Sequence, residues 1–131
     1  MSRSAKPQLV LGVVTSRWGV LLVHRPGLEP PAFFPAGEPD TGEQPGDTAV
    51  RGVAEEARLR VRAVRVLGRH PHPVTRRPIV YVAATPLKEV TRETVRESVR
   101  IGWYTLEQLE LLFPELHPPV REHLEATIPT R

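Results

Sequence analysis

Glu43, Arg51, Glu55 and Glu56 stand close together in the stretch "GEPDTGEQPGDTAVRGVAEEARL", residues 37–59. An α-helix turns about 100° per residue, so Arg51 and Glu55, four apart, share one helix face. Glu56 sits beside Glu55. Adjacent carboxylates repel, and are tolerated when water or a divalent cation screens them. Mg²⁺ is typically held by a few carboxylates completed by phosphate oxygens. The pair therefore reads either as a solvated helix face or as part of a metal–phosphate site with Glu55 and Glu56 as ligands. Glu43 precedes the helix and can fold back onto Arg51. That ion pair would pin the loop to the helix and let loop amides face a phosphate.

These residues need a scaffold. "QLVLGVVTS" (8–16) and "VLLVHR" (20–25), joined by the turn signal "RWG", read as a strand hairpin. A proline-rich loop leads to the short apolar piece "FFPAG". "DTAVRGVAEEARL" (47–59) reads as a helix with Asp47 as N-cap and a narrow apolar stripe. "RVRAVRVLGRH" alternates Arg with Val or Leu, as a strand with one buried face does, and "PIVYVAATP" (78–86) is a strong strand. "KEVTRETVRESVRIGWYT" reads as strand, loop, strand. Thr105 and Gln108 fit a capping box, and "HPPVREHLEATI" is a last helix with proline at its start. The order predicts an α/β fold, a mixed sheet with helices on its faces.

The central stretch resembles the Nudix box: Gly, five residues, Glu, seven residues, Arg-Glu, an apolar residue, any residue, Glu-Glu, any residue, Gly, then apolar. Gly37, Glu43, Arg51, Val53, Glu55, Glu56 and Leu59 match it. The flanks "VVTSRWGVLLVHR", "FPAG" and "IGWYTLEQL" are also similar to the family, so the resemblance covers roughly residues 8–127. It implies a Nudix-type α/β/α sandwich formed by one domain over residues 1–131. It also implies Mg²⁺- or Mn²⁺-dependent hydrolysis of a diphosphate in a nucleotide or nucleoside-diphosphate derivative. In that reading Glu43, Arg51, Glu55 and Glu56 are catalytic, Glu55 and Glu56 hold the metal, and Gly37 and Arg25 bind substrate.

Four positions depart from the family. Gly52 stands where it has the first of three helix glutamates, so a glutamate at 52 is expected to join Glu55 and Glu56 without harming the fold; glycine there alternatively lets another segment pack closely. Arg58 replaces a glycine just past the pair, and because a left-handed ending costs a non-glycine residue roughly 1–2 kcal/mol, a different helix ending is expected. Ala36 replaces the first glycine of the common "PGG". The carboxylate the family often places before the strand with the "W" has no secure counterpart, Glu93 and Glu97 being nearest upstream of Trp103. The departures leave a second reading, a catalytically weak or inactive protein of the same fold that still binds a nucleotide or phosphorylated metabolite.

Composition sets the limits. The 131 residues carry sixteen Arg against two Lys and a net charge of +3. Arginine's planar fork suits phosphate, but the charges are scattered rather than blocked, which argues against a nucleic-acid binder. The absence of cysteine excludes disulfides, thiolate catalysis and Cys-type zinc sites. No apolar run approaches the ~20 residues that span a bilayer, and the first apolar run is a strand rather than a signal peptide. A cytoplasmic monomer or homodimer acting on a small nucleotide-type substrate is expected. Among the remaining residues, His70 and His72 have a metal-like spacing, Arg76 and Arg77 could meet a phosphate, and Tyr81 and Phe34 could stack on a base, though solvated loops and core packing are the plainer readings.

Overall fold

The structure, a computed structural model, describes residues 8–72, 74–91 and 100–128. The element order is β1 (Leu9–Ser16), β2 (Gly19–His24), β3 (Ala32–Phe33), β4 (Ala36–Gly37), α1 (Pro45–Ala57), β5 (Val61–Pro71), β6 (Pro78–Pro86), β7 (Ile101–Tyr104), α2 (Leu106–Leu112) and α3 (Pro118–Thr127). The strands form a mixed sheet ordered β3-β2-β1-β6-β5, with β4 added to β1 and β7 to β2. β1 runs parallel to β6 and antiparallel to β2 and β4. A continuous apolar run suits β1, because a central strand is buried on both faces.

The two faces of β1 build separate cores. Leu11 and Val13 join Leu109 of α2 and Val120 and Leu124 of α3. Val10 and Val14 point the other way, where Ala49, Val53 and Ala57 of α1 cover the sheet. The result is the expected sandwich, with α1 on one side and α2 and α3 on the other. β1 and α1 approach closely at Gly12, where a Cβ would lie 2.9 Å from Val53 Cγ2. Among the described residues no helix is long and apolar enough to cross a membrane.

Several local expectations change. The helix starts at Pro45 rather than after Asp47: its N-cap is Gln44, without a side-chain cap, and Asp47 lies in the first turn. Proline pre-set for the first turn fixes the start more firmly than a polar side chain two residues on. The capping box of α2 forms as expected. Phe34 and Tyr81 are buried in the core, Phe34 stacked on Phe113 and Tyr81 on His70, so neither presents a face to a base. Of the expected strand-loop-strand after residue 86, the last strand appears as β7, and residues 92–99, including Glu93 and Glu97, lie outside the described residues.

Arg58 overturns the expected helix ending. It adopts the left-handed conformation (φ 56°, ψ 34°) that glycine would take, and its N–H donates to the Ala54 carbonyl at 3.0 Å. The closing hydrogen bond and the burial of Leu59 and Val61 just beyond it outweigh a local cost of roughly 1–2 kcal/mol. Arg58→Gly should therefore stabilise the protein, by up to about 1 kcal/mol after the greater freedom of glycine in the unfolded chain is subtracted. Urea unfolding of the two proteins checks this, and an unchanged or lower midpoint contradicts it.

Candidate active site

Glu43 is the hub of the loop that precedes α1. Its Oε1 accepts hydrogen bonds from the Asp40 N–H, the Thr48 Oγ1 and the Arg51 Nη2, at 2.9, 2.9 and 2.7 Å. Its Oε2 accepts from Arg51 Nε at 3.2 Å. This is the two-pronged arginine–carboxylate arrangement that a planar fork favours. The expected pairing of Glu43 with Arg51 is thus formed, with the Glu43 side chain only 17% exposed. The Arg51 guanidinium, first among the causes, and the Asp40 amide hold the Glu43 carboxyl well below its ordinary 4.5, at about 2. The same pairing raises Arg51 above its ordinary value.

Arg51 also ties the start of the loop. Its Nη2 donates to the Glu38 carbonyl at 2.8 Å, and the Glu38 carboxylate forms an ion pair with Arg77 from the β5–β6 connection. Residues 38–43 are thereby clamped between α1 and that connection. Two of these contacts, Thr48 with Glu43 and Glu38 with Arg77, escaped the sequence reading. Thr48, fully buried, lies three before Arg51 and so shares its helix face, a usable signal. The Glu38–Arg77 pair joins residues 39 apart and had none.

The carboxylate pair lies further along the same helix. Glu55 is 3.7 Å from Arg51 Nη1 and 63% exposed. Glu56 accepts the Ala36 N–H of β4 at 2.9 Å, which orients one carboxylate oxygen and leaves the other free. Gly37 pairs with Val10 and lies against Thr48 of α1. Arg25 is held by its own loop: its Nη2 donates to the Pro30 carbonyl at 3.1 Å and its Cζ lies 4.8 Å above the Phe33 ring. None of these partners belongs to the carboxylate cluster. His70 and His72 do not converge either, since His70 stacks on His117 while His72 Nδ1 accepts from the Val74 and Thr75 amides.

Position 52 corrects another expectation. A Cβ there would lie 2.9 Å from the Ala36 carbonyl oxygen and 3.2 Å from its carbon. Real side chains essentially never approach backbone that closely. Gly52 is therefore not a vacant ligand position. It is the place where β4 rests directly on α1, so a glutamate cannot join Glu55 and Glu56 unless β4 withdraws. Among the described residues no group of three or more His, Cys, Asp or Glu is placed to hold a metal ion. Glu55 and Glu56 are the side chains there that could offer carboxylate oxygens to a divalent cation, whose remaining ligands phosphate oxygens would have to supply.

Two outcomes follow from this geometry. Because the folded Glu43 carboxyl titrates below the unfolded one, its stabilisation is full above about pH 4.5 and is lost as pH falls towards about 2. Glu43→Gln should be less stable than wild type at pH 7, and the gap in denaturation midpoint should close across that acid window; a gap independent of pH contradicts the assignment. Gly52→Ala should destabilise, because overpacking against a backbone carbonyl costs about 1–3 kcal/mol and exceeds the roughly 1 kcal/mol gained in helix propensity. A more stable Gly52→Ala protein would mean that β4 yields freely.

The NUDIX domain family matches residues 6–126 of the chain. A NUDIX hydrolase from Nitrosomonas europaea superposes with a TM-score of 0.71 at 18% identity, covering 96% of this chain and 74% of the other. An ADP-ribose pyrophosphatase from Streptococcus suis gives 0.69 at 22% identity, covering 94% and 92%. A MutT protein from Methanosarcina mazei gives 0.63 at 15%, covering 96% and 95%. At these identities the likeness to solved structures is one of fold. No curated protein matches the sequence.

Proposed function

The chain belongs to the NUDIX family, and on that premise we propose that it is a hydrolase that cuts the diphosphate of a nucleotide or nucleoside-diphosphate derivative with Mg²⁺, or Mn²⁺ in its place. The observation that carries the reading is the Glu55–Glu56 pair on the helix whose preceding loop is clamped by Glu43 and Arg51. The neighbour described as an ADP-ribose pyrophosphatase supports this class of substrate. We place the protein in the cytoplasm as one Nudix domain over residues 1–131, a monomer or homodimer, without nucleic-acid or membrane partners.

In this proposal Glu55 and Glu56 hold the metal, which when bound supplies neutralisation of charge on the diphosphate. The Ala36 N–H aims Glu56 by taking up one of its oxygens. Glu43 and Arg51 are positioning residues: they neutralise each other and fix residues 38–43, including Gly42 (φ 79°), so that the loop's shape does not depend on substrate. Such preorganisation is the main lever in phosphoryl transfer. Water oxygen bonds to phosphorus as the bridging P–O bond breaks, and two phosphate-bearing products leave. Gly37 lies in β4 beside this site, where its backbone can approach a phosphate; Arg25 contributes to substrate binding from the β2 end only if its loop contacts to Pro30 and Phe33 release it.

A second reading is that nucleotides bind without being cut. Gly52 favours it, because β4 packs against the position where the family has the first of its three helix glutamates. Assaying purified protein with Mg²⁺ and with Mn²⁺ across nucleoside-diphosphate derivatives separates the two. We expect slow turnover that falls by about 100-fold in Glu56→Gln, is abolished by a chelator, and accompanies Mg²⁺ affinity in the millimolar range without nucleotide. Saturable nucleotide binding with no turnover would establish the second reading instead.

A further inference from the structure

A cavity of about 450 Å³ opens at the end of the sheet where β1 and β6 begin, with Gln8, Arg69, His70, Arg76, Ile79 and Val80 in its wall. That volume is in the range of small-molecule sites. Its place relative to the carboxylate site follows from strand register. Gly37 pairs with Val10, Val10 with Val80, and Val80 with Arg69. One row across four strands therefore runs from Gly37 to Arg69, a span of about 14 Å at the usual strand spacing. Facing residues on paired strands share a side, and Val10 and Val80 both pack with Ala49, so Arg69 stands on the α1 side of the sheet. Arg76 is the chain neighbour of Arg77, which forms the ion pair with Glu38, whose carbonyl receives Arg51.

Arg69 and Arg76 are the two charged residues of the cavity's wall, and no acidic residue lines it. Among the described residues no carboxylate lies within ion-pair distance of Arg69 or Arg76. Two unpaired guanidinium groups in one concave wall match a doubly charged phosphate monoester in charge, and each presents the fork that binds phosphate oxygens in pairs. A singly charged carboxylate would leave half that charge uncompensated.

We propose that this cavity is a second anion subsite, which holds a phosphoryl group carried by the substrate in addition to the diphosphate that is cut. The inference rests on the hydrolase reading for the identity of the substrate, but the subsite itself is a matter of binding. The substrate class is thus a nucleoside-diphosphate derivative bearing a further phosphate, not one ending in an unmodified sugar.

Paired probes that differ in that group test it: NADP⁺ against NAD⁺, and coenzyme A against 3′-dephospho-coenzyme A. The variant Arg69→Gln/Arg76→Gly removes both guanidinium groups, and glycine suits the left-handed backbone at 76 (φ 65°). We expect at least one phosphate-richer probe to bind about tenfold or more tightly than its partner, and the variant to bring that ratio near unity while leaving the phosphate-poorer probe unchanged. Calorimetry without metal measures this whether or not any probe is hydrolysed, and kcat/KM repeats it where turnover exists. Hydrolysis failing with the affinity ratio intact would overturn the hydrolase reading and keep the subsite. Equal affinity within both pairs, or a ratio the variant preserves, overturns the subsite. Inorganic phosphate bound by wild type and lost in the variant, with both ratios at unity, would assign the cavity to free phosphate and overturn the proposal as well.

Discussion

The contact on which the site depends is between a two-residue strand and a glycine. β4 is only Ala36–Gly37, far too short to hold itself in place. It is fixed on one side by its pairing with Val10 and Leu11 of β1. On the other it lies on α1 where residue 52 has no side chain, and Glu56 accepts its Ala36 amide. Both features come from one helix face, since residues 52 and 56 are four apart. Removing the Cβ lets backbone meet backbone, and that approach brings the amide within reach of the carboxylate. A glycine inside a helix is unfavourable by about 1 kcal/mol relative to alanine; the hydrogen bond and the packing of β4 offset it.

The loop from 38 to 43 obeys a different constraint. It has no apolar anchor of its own, so its order comes from polar bonds that must all be satisfied together. Glu43 takes up the Asp40 amide, the Thr48 hydroxyl and both prongs of Arg51. Arg51 in turn reaches the Glu38 carbonyl. Because Arg51 lies 2.7 Å from Glu43 and 3.7 Å from Glu55, its charge is committed chiefly to the loop. Glu55 keeps most of its negative potential and its exposure. Arg51 thus neutralises Glu43 of the loop and leaves Glu55 of α1 exposed.

How far the sequence foretold this differs between residues for physical reasons. The helix and the Glu43–Arg51 pair were legible because they depend on spacing within one segment. β1 and β6 were legible because continuous apolar runs have few alternatives as buried strands. Arg58 was misread because local strain was weighed without the tertiary burial beyond it. Gly52 was read in two ways, as a lost ligand and as a point of close packing, and only the position of β4 decides between them. Pairings such as Glu38 with Arg77 depend on how two distant loops come together, which no spacing rule encodes.

The same contact limits how the proposed chemistry could be strengthened. Restoring a glutamate at 52 changes more than a ligand count, because its Cβ meets the carbonyl of the residue whose amide orients Glu56. Moving β4 away to admit the new carboxylate would release the one already aimed. A third carboxylate and a well-oriented Glu56 are therefore in competition at this helix face. Relief would have to come from the strand side, through a backbone path at 36 and 37 that keeps the amide near Glu56 while turning the carbonyl aside. Ala36 stands there where the family commonly has glycine, and alanine is the more restricted of the two. The clash at 52 is with the Ala36 backbone rather than its side chain, so only a change in the path of β4 would make room for a side chain on the helix.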